Sequence, residues 1–521
     1  MSGRFATASL QADTGPRAVR LFHTLLALVF LDAWWSLARQ VDVLIGHRGL
    51  LPIEPLVEHL KQRGATFSEF PSLLLFGASD SAVSALVSWG VVLSLLTLLG
   101  IYPRVLFACN TLLYLSATVA GQNFLTFQWD NLLLECGLLA SLLAPSGQQR
   151  WVPFLFRVLL FKLYFESGIA KYQSHLGDWQ DGSAMTFYYE TAPIPTRLAW
   201  FMHHAPDWWH QLESWLTLIW EIGVPFLIFG PRVTRRIAFV VFSGFQVINV
   251  CTANYGFFCV LALVLQTFLV DERDLIVLRR GLRNLHSSAA LTRSLRKLRA
   301  RHRWALQRLH HGPRLLWRML IPAQLCSAAS QVGAALVVCC YLSVSTLGAL
   351  TTFWRGALPE SGSPSDGFLK RVQAIYSPYR LINTYHLFAA ITRSRVEAEF
   401  QVLTDTEFQP LTMHYKPGPP DRAPPFVAPH QPRVDFLLWF YGLSYRRGTP
   451  AYVKTLLRRL CEDPQAVQPL FTDPLPAHPK AVRIEFSRYH FTTPQERDST
   501  GHWWTRTPVD SPLTLPCSRG Q

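Results

Sequence analysis

The residues of this sequence that could do chemistry are charged side chains inside long apolar segments. The stretch Phe127-Gln-Trp-Asp-Asn-Leu-Leu-Leu-Glu135 places two carboxylates, Asp130 and Glu135, between runs apolar enough to lie in a membrane. An ionisable residue at membrane depth is costly unless it is paired or faces water, so each one is a candidate functional residue. The predicted intramembrane charge network comprises Asp32, Asp130, Glu135, Arg157, Lys162, Glu166, Lys171 and Glu221.

One apolar segment, 153–171, carries four of these charges. Lys162 and Glu166 are four residues apart, which places them on one face of a helix, and Lys171 follows Glu166 by five. In the structural interpretation, the basic residues of segment 153–171 pair with carboxylates of the predicted network and fix the helix packing. Asp130 then caps the helix that follows it. In the chemical interpretation, a desolvated Lys162 acts with Glu166 in proton transfer. The structural interpretation is the simpler one.

Familiar catalytic and ligand motifs are missing from the sequence. It contains no Gly-x-Ser-x-Gly, Gly-x-x-x-x-Gly-Lys-[Ser/Thr], Cys-x-x-Cys or His-Glu-x-x-His pattern. The adjacent pairs His203-His204 and His310-His311 would not both face one metal from a helix. We therefore predict no cofactor and no metal, and we assign no catalytic residue outside the chemical interpretation.

The composition indicates what positions these charges. Of 521 residues, 50% are hydrophobic and only 16% are charged, against about 25% charged in soluble domains. Apolar runs of roughly 17 to 25 residues, enough to cross a membrane, recur up to about residue 350. We predict a polytopic α-helical membrane protein, with a transmembrane bundle over 1–354 and a mostly β soluble domain over 355–521.

About nine spans are predicted. They lie near 21–38, 83–101, 104–122, 131–145, 153–171, 212–230, 236–251, 255–271 and 321–350. The first run carries Asp32 and lacks a small-residue cleavage site, so we expect it to remain as a span. Basic residues mark every second loop, which predicts a cytoplasmic N-terminus and an extracytoplasmic C-terminal domain. The same parity places the amphipathic loops 45–82 and 172–211 on the outer side.

The largest basic block is 279–318, which holds twelve Lys and Arg residues and no Asp or Glu. Such a block could bind nucleic acid. Between two spans it is more simply a cytoplasmic loop that sets topology and contacts anionic lipid. We therefore expect membrane lipid, and not nucleic acid, as a partner.

The C-terminal region has alternating, aromatic-rich segments. Strands are predicted at 396–403, 408–415, 481–491 and 502–507, and an amphipathic helix at 450–461, with a further apolar stretch at 434–443. Cys461 and Cys517 lie in this region and could pair if it faces an oxidising compartment.

Several short motifs occur in order along the chain. They are Gly46-His-Arg-Gly-Leu-Leu-Pro52, the stretch 127–135, Phe187-Tyr-Tyr-Glu-Thr191, His203-His204, Trp208-Trp209, Ala253-Asn-Tyr255, Ile382-Asn-Thr-Tyr385, Tyr415-Lys-Pro-Gly418, Pro429-His-Gln-Pro-Arg-Val-Asp435, Trp439-Phe440 and Trp503-Trp504. Together these motifs resemble those of the lipase maturation factor family of animals and its bacterial relatives. The resemblance implies a multi-pass, chaperone-like protein that helps newly made secreted lipases fold and assemble. It implies the endoplasmic reticulum membrane in a eukaryote; in a bacterium the inner membrane would take its place.

On this resemblance the outer domain engages an immature secreted lipase or other secreted client, and the protein is not itself a lipase. Trp and Tyr favour recognition surfaces. The candidate client-binding residues are Tyr415, Lys416, His430, Arg433, Asp435, Trp439, Trp503 and Trp504. The alternative for each of them is a structural role, in an aromatic core or in a turn from Arg433 to Asp435.

The buried charges also suggest two other functions, an enzyme and a transporter. An integral-membrane enzyme would use the Lys162 and Glu166 pair in a bundle that resembles, at fold level only, the membrane domain of vitamin K-dependent carboxylase. A transporter would use the buried charges as a pathway, but inverted repeats and Gly/Pro-broken spans are not evident in the sequence. The folding factor is therefore the leading interpretation.

Overall fold

The computed structural model describes residues 15–144, 150–277, 323–354, 364–510 and 512–517. The basic block 279–318 lies outside these described residues, so its predicted role as a topology determinant stays a prediction.

The part of the chain before residue 355 is helical. Its longer helices are α1 (Pro16–Ala38), α4 (Asp80–Leu98), α5 (Pro103–Ala120), α6 (Gln128–Leu142), α7 (Trp151–Tyr172), α10 (Asp207–Leu218), α11 (Arg232–Thr252) and α13 (Ala323–Phe353). The shorter ones are α2 (Val41–Ile45), α3 (Ile53–Gln62), α8 (Ala184–Thr191), α9 (Arg197–His203) and α12 (Phe258–Leu265). Proline begins α1 and α5, where its missing N–H costs no helical hydrogen bond.

Contacts at the helix ends show that α5 and α6 run in opposite directions. Thr118, near the end of α5, accepts from Arg380, and the start of α6 lies at this same end, which we call the docked end because the C-terminal region packs on it. At the opposite end, Arg104 at the start of α5 donates to Ser141 O at the end of α6. The bundle thus has two distinct ends.

Five described helices are long and apolar enough to cross a membrane: Pro16–Ala38, Asp80–Leu98, Asp207–Phe229, Arg232–Thr252 and Val332–Phe353. The predicted count of about nine is not confirmed. Gln128–Leu142 and Phe258–Leu269 are short for a span, and Trp151–Tyr172 carries four charges. Apolar side chains such as Ile219 and Val240 are exposed on these helices, as expected for a lipid-facing surface.

The predicted β-rich C-terminal region is confirmed. Its five strands are β1 (Arg395–Leu403), β2 (Phe408–Leu411), β3 (Ala481–Phe491), β4 (Trp504–Pro508) and β5 (Leu513–Pro516). The antiparallel order is β2-β1-β3-β4, and β5 also pairs with β3. Phe400 lies opposite Ile484 in the centre of the β1–β3 ladder, and both are buried.

Helices complete the C-terminal region. They are α14 (Pro364–Tyr376), α15 (Arg433–Ser444), α16 (Ala451–Glu462), α17 (Pro464–Val467) and α18 (Pro494–Thr500). Helix α15 packs so closely on β1 that a Cβ on Gly442 would lie 2.0 Å from Val396 O. Cys461 at the end of α16 and Cys517 after β5 are joined by a disulfide, with their Cα atoms 5.2 Å apart.

Candidate functional site

The C-terminal region reaches the buried charges of the bundle through residues 382–391, which we call the strap. Backbone N–H groups of the strap donate to side chains of the bundle. Asn383 N lies 3.2 Å from Glu135 Oε2, and Tyr385 N lies 2.8 Å from Glu166 Oε2. Ile391 N donates to Asp178 Oδ2 at 2.8 Å. The strap therefore supplies hydrogen-bond donors to buried carboxylates that would have too few donors from the bundle alone.

Glu135 is the centre of the first cluster. Its Oε1 accepts from Lys162 Nζ at 3.0 Å and from the Tyr341 hydroxyl at 2.5 Å. Its Oε2 accepts from the Tyr385 hydroxyl at 2.7 Å and from Asn383. The carboxylate is fully buried. With donors on both oxygens, Glu135 is held as a structural anion.

Lys162, like Glu135, has several polar partners. Besides Glu135, its Nζ donates to Ser345 Oγ at 3.1 Å, and it lies 5.2 Å from the centre of the Tyr341 ring. Among the described residues, its ion-pair partner is Glu135 on the neighbouring helix and not Glu166 four residues on. A lysine that acts as a base needs a free lone pair facing a substrate, and this geometry describes an ion pair instead.

Asp130 pairs with a residue of the C-terminal region. Arg433 Nη1 lies 2.6 Å from Asp130 Oδ2, and Arg433 Nη2 lies 2.9 Å from Asp130 Oδ1. The Tyr114 hydroxyl donates to Asp130 Oδ1 at 2.6 Å. Asp130 was expected either to pair with a basic residue of segment 153–171 or to cap its own helix. Both expectations are wrong, because Arg433 reaches Asp130 from α15 and the start of α6 has no side-chain cap.

The remaining charges of the predicted network lie outside the clusters of Asp130 and Glu135. Lys171 Nζ pairs with Glu221 Oε2 at 2.7 Å and also donates to Leu387 O of the strap. Arg157 lies toward the opposite end, where its Nε donates to Phe268 O at 3.1 Å. Asp32 is half-buried on α1. The structure therefore forms three separate clusters, around Asp130, Glu135 and Lys171, instead of one network.

Four of the candidate client-binding residues are buried: Lys416, Arg433, Asp435 and Trp504. Lys416 Nζ lies 3.0 Å from Glu397 Oε2, and Trp504 stacks on Phe491.

Asp435 accepts from Tyr415 N and Lys416 N, and burial raises the pKa of Asp435. Arg433 and Asp435 thus have separate partners, which overturns the expected turn between them. Since none of the four reaches the surface, their contacts describe structural roles.

The other four candidates, Tyr415, His430, Trp439 and Trp503, are partly exposed. His430 Nδ1 lies 2.9 Å from Ser36 Oγ on α1. Burial, together with the positive charges of Arg39 and Arg433, lowers the pKa of His430 to about 4. Trp503 lies beside the Arg497 guanidinium at 4.0 Å. The rings of Tyr415 and His430 lie 5.6 Å apart, whereas Trp439 contacts Thr191 and Trp503 contacts Arg497.

Trp439 borders an apolar groove that we call the outer groove. It has a volume of about 560 Å³ and lies between the start of α6, the strap and one face of α15; its lining includes Phe127, Trp129, Phe436, Trp439, Phe440 and Leu443. Trp439 Nε1 donates to Thr191 O at 2.8 Å, which fixes the indole. Phe440 and Leu443 are 43% and 40% exposed. Neither was singled out as a contact from the sequence, although both lie in the apolar stretch 434–443.

Comparison with known proteins gives the family. The apolar helices and the C-terminal sheet define an integral membrane protein with a β-rich C-terminal region. Residues 17–277 match the model of the lipase maturation factor transmembrane domain, and residues 381–514 match that of the lipase maturation factor C-terminal domain. The chain belongs to the lipase maturation factor family, which confirms the resemblance seen in its motifs.

Individual relatives extend over nearly the whole chain. The chain is 31% identical to lipase maturation factor 2 of Mus musculus, over 94% of this chain and 82% of that protein. It is 30% identical to lipase maturation factor 2 of Homo sapiens, over 94% and 81%. With lipase maturation factor 1 of Bos taurus it shares 28% identity over 95% and 88%. No solved structure matches the chain significantly.

Proposed function

We propose that this protein is a membrane-embedded factor that matures secreted lipases, and that its C-terminal region contacts the immature client. The observation that carries this proposal is the pair of family matches, which run in order over the bundle and the C-terminal region. The relatives are named as lipase maturation factors. The client class is taken from those names.

The proposed topology has nine spans, a cytoplasmic N-terminus and the C-terminal region on the outer side, in the lumen of the endoplasmic reticulum or in the periplasm. The opposite directions of α5 and α6 fit this topology, and the basic block in the loop before the last predicted span supports it. The disulfide between Cys461 and Cys517 also favours an oxidising compartment for the C-terminal region. On this topology the division of the chain lies near residue 355.

The outer groove is the proposed contact surface. Immature proteins expose apolar segments that folding later buries, and an exposed apolar groove rimmed by polar residues is typical of a protein interaction site. Trp439 provides a rigid aromatic wall, and Phe440 and Leu443 provide exposed apolar side chains. This proposal replaces the scattered set of eight contact residues by one continuous surface.

The test uses host cells that lack the gene and secrete a lipase. Secreted lipase activity per secreted mass is measured after rescue with the wild-type chain or with Phe440→Ser plus Leu443→Ser. We expect full rescue by the wild type and loss of most rescue by the groove variant at equal abundance. The matched control is Leu513→Ser plus Leu515→Ser, because these leucines of β5 are similarly exposed, at 42% and 40%, and lie away from the groove.

Two results would count against the proposal. Lipase activity per mass that does not depend on the gene would contradict the function in lipase maturation. Equal rescue by the groove variant and the β5 control would contradict the contact surface alone. Point substitutions are preferred to removal of the C-terminal region, because removal would leave Asp130 and Glu135 buried without the donors that Arg433 and the strap supply.

A further inference from the structure

A second cavity lies inside the helical bundle, and the strap residues Leu387 and Phe388 line both it and the outer groove. It has a volume of about 180 Å³ and is bounded by α7, α8, α10 and α11. Most of its lining is apolar, from side chains such as Leu163, Leu216, Phe245 and Phe258. Ligand sites in proteins are typically concave and mostly apolar, with a few polar groups that orient the ligand. The cavity has this composition.

The cavity reaches the lipid-facing surface between two candidate spans. Trp209, Leu212 and Ile248 line it and are also 36%, 37% and 46% exposed. The first two lie on Asp207–Phe229 and the third on Arg232–Thr252, both apolar enough to cross a membrane. A molecule that enters between these helices therefore comes from the membrane and not from water.

Two acceptor atoms of the lining receive no hydrogen bond from the part of the chain that the structure describes. Gln246 is 1% exposed, and within the described residues neither its Oε1 nor Glu213 Oε2 has a hydrogen-bond partner. His210 Nδ1 lies 3.6 Å from Glu213 Oε2, beyond hydrogen-bond distance. If the oxygen and nitrogen of the Gln246 amide were exchanged, the oxygen would contact the Tyr164 hydroxyl and the nitrogen would lack a hydrogen-bond partner instead. Buried polar atoms without partners are uncommon in native proteins and call for an explanation.

The charges of the lining restrict the ligand further. Lys171 is already paired with Glu221, and Glu213 adds a second carboxylate, so the charged side chains of the lining carry more negative than positive charge. An anionic headgroup would meet repulsion, because Lys171, the cation among the described lining residues, is already paired. A neutral group that donates a hydrogen bond, such as a hydroxyl, meets the two unpartnered acceptors.

We propose that this cavity binds a neutral, hydroxyl-bearing acyl lipid of the diacylglycerol class, which enters from the membrane between α10 and α11. An acyl chain occupies the apolar part, and the free hydroxyl donates to Glu213 Oε2 or to Gln246. This site goes beyond the proposed action on lipases, and its test does not depend on lipase activity.

The test uses the purified full-length protein in phosphatidylcholine nanodiscs. One probe is a diacylglycerol that carries a photoactivatable diazirine and an alkyne on an acyl chain, and the second is the same molecule with its hydroxyl acetylated. We expect the free-hydroxyl probe to label the protein about fivefold more than the acetylated probe. Peptide mapping is expected to place the adducts on cavity-lining residues of α10 and α11.

Variants provide the matched control. Ile248→Trp narrows the entrance and is expected to remove most labelling, whereas Ile237→Trp, on the same helix, 48% exposed and outside the lining, leaves labelling unchanged. Gln246→Leu is expected to reduce the preference for the free hydroxyl. Adducts spread evenly over the lipid-facing surface, or equal labelling by both probes in the wild type, would overturn the proposal. Competition by a free sterol but not by unlabelled diacylglycerol would contradict the glyceride assignment.

Discussion

Arg433 closes a bidentate ion pair with Asp130, although 303 positions separate the two residues in sequence. Both side chains are almost completely buried, so this contact excludes water and depends on good geometry. It joins the first turn of α15 to the first turn of α6. Together with the strap, it makes the C-terminal region a structural part of the bundle, and α15 then forms one wall of the outer groove.

The close packing of α15 on β1 predicts that Gly442→Ala is destabilising. The added Cβ would lie 2.0 Å from Val396 O, a backbone atom that cannot move away by a side-chain rotation. We expect a loss of at least about 2 kcal/mol in the free energy of unfolding, measured by chemical denaturation in detergent. Gly244→Ala is the control, because this helical glycine has open space around it and the change should be neutral or stabilising. Similar effects of both substitutions would show that the packing is looser than described.

The environment of His430 predicts a pH dependence of stability. Its folded-state pKa is about 4, below the ordinary value of 6.5, so the unfolded chain takes up a proton before the folded chain does. The stability that neutral His430 provides is complete above pH 6.5 and is lost as the pH falls toward 4. Thermal unfolding at pH 7 and pH 5 should therefore show a larger loss for the wild type than for His430→Gln. Parallel losses would mean that His430 does not titrate in this way.

The geometry of Lys162 predicts that the protein needs the positive charge of this residue and does not need it to act as a base. Lys162→Met leaves Glu135 buried without its cation, so we expect a loss of about 3 to 5 kcal/mol and low abundance. Lys162→Arg keeps the charge but cannot serve as a base at ordinary pH, and we expect it to retain lipase maturation per molecule of the factor. Normal abundance with lost maturation in Lys162→Arg would instead support the enzyme interpretation.

Local patterns in the sequence predict the elements well. Alternation over 481–491 gives strand β3 with its observed bounds, and the amphipathic pattern at 450–461 gives α16 to within one residue. Both patterns depend on neighbours along the chain. Asp130 and Glu135 could likewise be identified as buried charges from the sequence, because the apolar runs next to them are sufficient for this inference.

The partners of these charges could not be predicted in the same way. Arg433 and Tyr385 approach α6 from positions 303 and 250 residues away, and no periodicity encodes such a contact. Segment 153–171 offered nearby cations instead, so the expected partner of Asp130 was wrong. The outer groove also escaped prediction, because its walls come from α6, the strap and α15, which are distant in sequence.

The most direct measurement of the central claim, that a buried Asp130–Arg433 pair docks the C-terminal region on the bundle, is a double-mutant cycle. The free energy of unfolding of the full-length protein in detergent is compared for Asp130→Leu, Arg433→Met and the double variant. We predict that each single substitution costs about 3 to 5 kcal/mol, because it leaves one buried charge unpaired, and that the double variant recovers most of this loss. Additive losses in the double variant would contradict the claim.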